Sequence, residues 1–382
     1  RRRRQRHIGN RQQSMEMAKA LVKDVKPMIL GETANALKDD GLEHHLQRIN
    51  QLRKDKGVTS IMISHKLNEI ADSADVVQVI RDGQTISHFN IDPEHPLDMA
   101  ALIRDMVGRP LTNRYPDHKS HIGKEVFRVE HWKVHHPIDE QRLVARDVSF
   151  NVRAGEIVGL AGLVGSGRTE TLMSIFGRQY GVGASGRIYR KGSEVNFPNV
   201  RAAIEHGVAY ANEDRKNYGL NLLTSLRENI AMASLPNLSR HGVINRDQEV
   251  SIAERYRKEL RLKSSTIEMQ TMNLSGGNQQ KVVLAKWMAT NPDVLVLDEP
   301  TRGIDVGAKY DIYEIIDGLA DSGKAVVVIS SELPELLGIC DRIYTMCRGR
   351  ITACLDAKLT NQEELMKYMI TDNLIDSRNL FA

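Results

Sequence analysis

Residues 155 to 161, Gly-Glu-Ile-Val-Gly-Leu-Ala, read as a short strand, and Gly162 to Thr169 follow as a glycine-rich loop that opens an apolar-periodic helix. A strand that feeds a helix through so tight a loop belongs to a mostly parallel sheet with helices on its faces, so this stretch commits its surroundings to an α/β architecture. The loop has the spacing G-x-x-x-x-G-K-[ST] from Gly162 to Thr169, with Arg168 in place of lysine. Gly162, Gly165 and Gly167, with Ser166 among them, let successive backbone N–H groups turn inward on phosphate oxygens, and Thr169 offers a hydroxyl to Mg²⁺. Arg168 keeps the positive charge, but a planar guanidinium is wider than an ammonium and is not its equivalent as a phosphate clamp.

Two further motifs narrow the ligand. Leu274-Ser275-Gly276-Gly277-Asn278-Gln279-Gln280-Lys281 places a hydroxyl and two glycines at the start of a helical pattern, where free backbone N–H groups make an anion site. Val294-Leu295-Val296-Leu297 is a short apolar run that delivers the adjacent carboxylates Asp298 and Glu299 at its C-terminal end, followed by Pro300-Thr301. One carboxylate suits Mg²⁺ and the other suits a water molecule. In this order the three motifs point to ATP.

These residues resemble an ATP-binding cassette (ABC) protein, and more narrowly the tandem-cassette ATPase of bacterial sugar importers of the ribose, galactose and xylose type. The narrower resemblance rests on Gly-Arg-Thr-Glu at 167 to 170, Glu213-Asp214-Arg215-Lys216, Leu274 to Lys281, Asp298 to Ala308, and Ser330-Ser331-Glu332-Leu333-Pro334-Glu335-Leu336, and it covers residues 8 to about 372. It implies that Asp298 holds Mg²⁺ and that Glu299 orients the attacking water. It implies as well that Asp305 lies at a cassette interface, that Glu213 sits near a loop sensing both Mg²⁺ and a membrane partner, and that Ser275, Gly276, Gly277 and Gln279 belong to a signature read by a facing cassette. Membrane permease subunits and a periplasmic sugar-binding protein are the implied partners, with the chain peripheral on the cytoplasmic face of the plasma membrane.

The chain also repeats itself. Ile63 to Glu69 matches Ile329 to Glu335 at an offset of 266 residues, and the same offset pairs Asp75 with Asp341 and Gly83 with Gly349. Upstream the offset becomes 267, aligning Gln13 with Gln280 and Glu32 with Glu299. Residues 1–108 are therefore expected to be the C-terminal part of a first cassette, 109–125 a linker, 126–372 a whole second cassette and 373–382 a tail. The first cassette would lack a phosphate loop, have a damaged signature at Ile8-Gly9-Asn10, and carry Gly31 in the place of Asp298. It retains Glu32 and also His65, the position that in the family senses the γ-phosphate and that is Ser331 in the second copy. A serine brings no cationic character, so the second phosphate loop is expected to bind nucleotide and turn it over poorly.

The second cassette is expected to hold strands at 156–161, 293–298 and 325–330, with a helical subdomain over about 220–290 carrying the signature. No apolar stretch approaches the roughly 18 residues that cross a bilayer. Cys340, Cys347 and Cys354 lack metal-finger spacing and read as reduced thiols. A net charge of +4 is too balanced to argue for nucleic acid, and the Arg-rich start reads as a solvated tail. His131, His135 and His136 suit a surface turn better than a metal site, and Trp132 is open between stacking on adenine and packing in the core. An energy-coupling subunit of a sugar importer is the expectation. Its alternative is a remnant or regulatory module that binds ATP without useful turnover, whether paired with a missing first cassette or as a homodimer. A soluble factor on ribosomes or DNA fits less well, because the linker is short.

Overall fold

The computed structural model describes residues 27–31, residues 51–107 except 52, 56, 64–66, 82, 93 and 95, and residues 115–371 except 117 and 119. Glu32, His65, the first-copy signature and the tail lie outside the described residues. Two compact units divide near residue 112.

In the first unit, β1 (Pro27–Gly31) pairs in parallel with β2 (Thr59–Ile63). Helix α1 (Leu67–Ser73) precedes an antiparallel hairpin of β3 (Val76–Arg81) and β4 (Gln84–Asn90), and α2 (Met99–Val107) follows. Val77, Val79 and Leu102 form its small core, packed by Ile70 and Phe89. Ile29, Ile61 and Ile63 are more than half exposed, since among the described residues β1 and β2 form a sheet of two strands only.

The second unit begins with two long antiparallel strands, β5 (Glu125–His135) and β6 (Leu143–Arg153), which are joined by β8 (Val182–Arg190) and β9 (Ser193–Val195) in the order β6-β5-β8-β9. Between them in sequence lie β7 (Ile157–Gly162) and α3 (Arg168–Ile175), and after them α4 (Val200–Glu205) and β10 (Val208–Ala211). A helical stretch follows: α5 (Leu226–Ala231), α6 (Leu235–Leu238), the small hairpin β11 (Ser239–Arg240) and β12 (Val243–Ile244), α7 (Arg246–Glu259) and α8 (Gly276–Met288). The chain then runs β13 (Val294–Asp298), α9 (Val306–Asp321), β14 (Ala325–Ile329), α10 (Leu333–Ile339), β15 (Arg342–Cys347), β16 (Arg350–Asp356) and α11 (Gln362–Ile370).

The main sheet has the order β10-β13-β14-β7-β15-β16, parallel throughout except at β16. Every residue of β7, β13 and β14 is buried, because both faces of the sheet are covered. Alternation sorts the residues: Val294 and Val296 join one core with the antiparallel sheet, while Leu295 and Leu297 join the other with the helices. The expected strands and helical subdomain are therefore in place.

The repeat extends to register. Pro27 pairs with Thr59 as Val294 pairs with Ala325, and both hairpins, β3-β4 and β15-β16, shift register at matching positions, Val79/Ile80 and Thr345/Met346. Sequence reasoning missed the four-stranded antiparallel sheet. The pairing of β5 with β6 slips register four times, and His131 and Asp147 take left-handed backbone with φ 53° and 81°, so no clean two-residue alternation survives in the sequence.

Candidate functional site

The loop after β7 is shaped by what its glycines must clear. A Cβ on Gly162 would sit 2.5 Å from the Ser166 hydroxyl oxygen, and one on Gly167 would sit 2.8 Å from the Val144 carbonyl oxygen. Gly167 caps α3 in the left-handed region at φ 98°, where other residues are strained. Leu163 and Val164 point outward, 44% and 77% exposed, while the Ser166 hydroxyl is buried with no protein partner. A buried orphan hydroxyl inside a glycine cradle at a helix start is suited to a phosphate oxygen.

Arg168 does not reach into that cradle. Its guanidinium is 7% exposed and donates to the Ser330 carbonyl at 2.5 Å and, more weakly, towards the Leu160 carbonyl at 3.5 Å. Burial pulls its pKa below the ordinary guanidinium value, while Glu299, Asp298 and Glu170 pull it back. In this conformation it ties the ends of β7 and β14 together.

Thr169, in the first turn of α3, donates its hydroxyl to Asp298 Oδ1 at 3.2 Å. The other oxygen of Asp298 accepts from the Tyr210 hydroxyl at 2.6 Å, and Tyr210 is itself buried, with its ring stacked on Phe176. Burial pushes the Asp298 carboxyl up from the usual range, and the Tyr210 and Thr169 donors hold it back. Thr169 and Asp298 together are a hydroxyl and a carboxylate at hydrogen-bond distance, a donor set suited to Mg²⁺. Glu299 follows with φ 48°, in the left-handed region at the strand end, and its own N–H bonds the Ile329 carbonyl at 2.8 Å. Ser331 donates its hydroxyl to Glu299 Oε2 at 3.1 Å. Burial raises the Glu299 carboxyl too, against the Ser331 hydrogen bonds and the Arg168 charge.

Ser275 caps α8 through its side chain, which accepts from the Asn278 N–H at 3.4 Å and from the Asn278 side-chain amide at 2.9 Å. Gly276 lies against Arg215, whose guanidinium would sit 2.9 Å from a Cβ at that position. Arg215 donates to the carbonyls of Arg302 and Gly303 at 3.0 and 3.3 Å, linking the signature to the chain beyond Glu299. Gly277 is buried in the first turn of α8. Gln279 is 5% exposed and spends its amide N–H groups on the Thr271 and Leu274 carbonyls, so it supports the signature loop from beneath instead of lining it. Glu213 forms an ion pair with Arg302, and Asp305 is exposed immediately before α9.

Tyr210 and Arg215 were not anticipated. Their signals were a hydroxyl in the otherwise apolar strand Val208-Ala209-Tyr210-Ala211 and an arginine inside Glu213 to Lys216. Trp132 is 1% exposed, donates from its ring nitrogen to Ser174 at 2.8 Å and lies beneath Arg178, so it is a core residue. His135 and His136 bond the local turn at Glu140, Ile138 and Asp139, and His131 bonds Asp147.

Residues 145–302 match the ABC transporter family. The chain is 49% identical over 359 residues to the L-arabinose transport ATP-binding protein AraG of Geobacillus stearothermophilus, covering 94% of this chain and 70% of that protein. It is 46% identical over 360 residues to the xylose import ATP-binding protein XylG of Thermoanaerobacter pseudethanolicus, again covering 94% and 70%. Over 355 residues it is 40% identical to the ribose import ATP-binding protein RbsA of Bacillus subtilis, covering 93% and 69%. Among solved structures, an ATP-binding cassette in a post-hydrolysis state with ADP and Pi superposes with a TM-score of 0.53 at 20% identity, over 61% of this chain and all of that one. A nucleotide-free cassette gives 0.52 at 19%, over 68% and 99%. The chain belongs to the ATP-binding subunits of ABC transporters.

Proposed function

We propose that this chain binds and hydrolyses ATP to energise a bacterial importer of a small sugar, of the class that the arabinose, xylose and ribose relatives name. The observation that carries the reading is the assembly of Thr169, Asp298, Glu299 and Ser331 at the C-terminal edge of the parallel sheet, beside a cradle with a free Ser166 hydroxyl.

The reaction is in-line attack of water on the γ-phosphate, giving ADP and phosphate, and it depends mainly on positioning and charge stabilisation. Backbone N–H groups of Gly165, Gly167 and Arg168, with Ser166, hold the phosphates. Thr169 and Asp298 would hold Mg²⁺, which neutralises charge on the β- and γ-phosphate oxygens when bound. Glu299 orients the water and takes up its proton, and the raised carboxyl makes it a better base than a solvated glutamate. Ser331 fixes the Glu299 carboxylate in place. From within the sheet, Arg168 tempers the charge of the Asp298-Glu299 pair.

Ser275, Gly276 and Gly277 would serve a nucleotide held by a facing cassette, with Arg215 transmitting closure between the signature and residues 302–303. That facing cassette is either one bearing its own phosphate loop or a second copy of this chain. Residues 1–108 form the C-terminal part of a first cassette in this reading, and a permease at the cytoplasmic face of the membrane, fed by a periplasmic binding protein, receives the motion. The bonding of Arg168 to the Ser330 carbonyl supports a second reading, tight nucleotide binding with slow turnover.

The test is Mg²⁺-dependent ATPase of the purified chain with and without reconstituted permease and sugar-loaded binding protein. Stimulation by the loaded binding protein is expected. Equal rates in its presence and absence would leave only the nucleotide-binding module.

A further inference from the structure

Tyr115 and His118, just ahead of the antiparallel sheet, lie against α9 by contacts that the nucleotide chemistry does not use. Tyr115 packs its ring on Tyr313 at a centroid distance of 5.3 Å and covers Gly338, where any Cβ would collide with that ring. Three residues on, His118 meets three carboxylates. Its Nδ1 is bonded to Asp317, and its Nε2 lies 3.4 Å from Asp341 Oδ2. One helical turn after Asp317 comes Asp321, and ligand atoms of His118, Asp317 and Asp321 lie within 4.8 Å of one another.

The three carboxylates differ in kind. Asp341 is 7% exposed and fully engaged: Oδ2 accepts from the Ile157 N–H at 2.9 Å, and Oδ1 accepts from the Ser120 hydroxyl. It therefore fixes the Nε2 side of the imidazole and turns Nδ1 towards Asp317 and Asp321. An imidazole oriented by a carboxylate behind it, with its other nitrogen directed at further carboxylates, is the usual arrangement around a protein-bound metal.

Electrostatics point the same way. Among the described residues no lysine or arginine pairs with Asp317, Asp321 or Asp341, and His118 is the basic side chain that meets Asp317 and Asp341. Asp317 and Asp321 also lie in the last two turns of α9, at the negative end of the helix dipole, and the last turn of α9 carries no basic residue. Two carboxylates at a helix C-terminus are unfavourable unless a cation meets them.

We infer that His118 Nδ1, Asp317 and Asp321 bind a first-row divalent cation of the zinc class, with Asp341 as the orienting carboxylate and water completing the shell. One nitrogen and two oxygens select such a cation over calcium or magnesium, which prefer all-oxygen shells. Ligand atoms around a tetrahedral zinc lie about 3.3 Å apart, a spacing that a small swing of the Asp317 side chain produces. The cation would pin His118 to α9 and, through Asp341, to the start of β7.

The experiment is titration of the purified, metal-stripped chain with Co²⁺ alone, without nucleotide, followed by its visible absorption. One equivalent of Co²⁺ should give a tetrahedral or five-coordinate spectrum that stoichiometric Zn²⁺ abolishes. Asp321→Asn removes an exposed ligand without touching the bonds between His118 and Asp341, and should weaken Co²⁺ binding about tenfold or more. Asp341→Asn should weaken it by about 10- to 100-fold, as loss of an orienting partner does. Circular dichroism of each variant separates this loss from unfolding. A wild-type spectrum no different from aqueous Co²⁺ would overturn the inference. So would wild-type affinity in both variants, which would assign the signal to the thiols or to the Asp298 region.

Discussion

Replacing Tyr210 with phenylalanine removes one oxygen atom and leaves the ring stacked on Phe176. What is lost is the 2.6 Å hydrogen bond to Asp298, a carboxylate that is 1% exposed. A hydrogen bond to a charged group contributes about 1.5–3 kcal/mol, and the buried acceptor cannot recover it from water. For a cassette of this size that corresponds to roughly 3–12 °C in melting temperature. The pH dependence gives the sharper check. The Asp298 carboxyl already titrates above its usual range because it is buried, and loss of the tyrosine donor pushes it higher. An acid whose folded pKa is raised binds its proton more readily in the folded state, so its cost to stability is absent at low pH and grows as pH rises through the interval between the unfolded and folded values. Tyr210→Phe widens that interval, so the variant should lag the wild type most at neutral pH and converge with it in acid. Tryptophan fluorescence follows the right unit, because Trp132 and Trp287 are the only tryptophans and both lie in the second unit. Urea midpoints that differ equally at pH 7 and in acid, or do not differ at all, would refute the assignment of this bond to the Asp298 carboxylate.

Trp132→Phe should lower stability by about 2 kcal/mol through the lost bond to Ser174 and the smaller ring, yet leave the ATP dissociation constant of the folded protein within about twofold; a tenfold loss of affinity by calorimetry would reinstate adenine stacking. Lys286 is buried, donates to the Gly219 carbonyl, and has its pKa pulled down to about 8 by desolvation. A base with a depressed folded pKa weakens the fold while the unfolded chain holds the proton, so stability should rise between about pH 8 and the free-lysine value near 10.4, by up to about 3 kcal/mol. Lys286→Met should lose most of that rise in urea melts, and a parallel rise in both proteins would count against it.

How far the sequence revealed these features depended on how local their causes are. The strand, loop and helix from Ile157 to Ile175 are specified by apolar run, glycine spacing and helical periodicity within a few residues of one another, and they fold as read. The repeat was legible down to register because matching residues occupy matching strand positions. The antiparallel sheet was hidden because its long strands are interrupted by bulges at His131 and Asp147, and its partners are fixed by tertiary pairing. At the site, the chain of donors from Thr169 and Tyr210 to Asp298 joins residues up to 129 positions apart, which spacing cannot show. Arg168 could be identified as a cation but not given a direction: its guanidinium finds the Ser330 carbonyl across the sheet, 162 residues away. Gln279 stands one helical turn from Ser275, yet the helix face it occupies carries it under the Thr271 and Leu274 carbonyls.

The most direct measurement is ATP binding and steady-state hydrolysis by the purified chain beside its Glu299→Gln variant, both with Mg²⁺. The account predicts tight binding in both proteins and hydrolysis in the wild type that falls at least about a hundredfold in the variant, because the glutamine amide still accepts the Ser331 bond but cannot take a proton from water. Equal hydrolysis by the two, or no ATP binding by the wild type, would contradict the assignment of the nucleotide site to the edge of the sheet between Gly162 and Glu299.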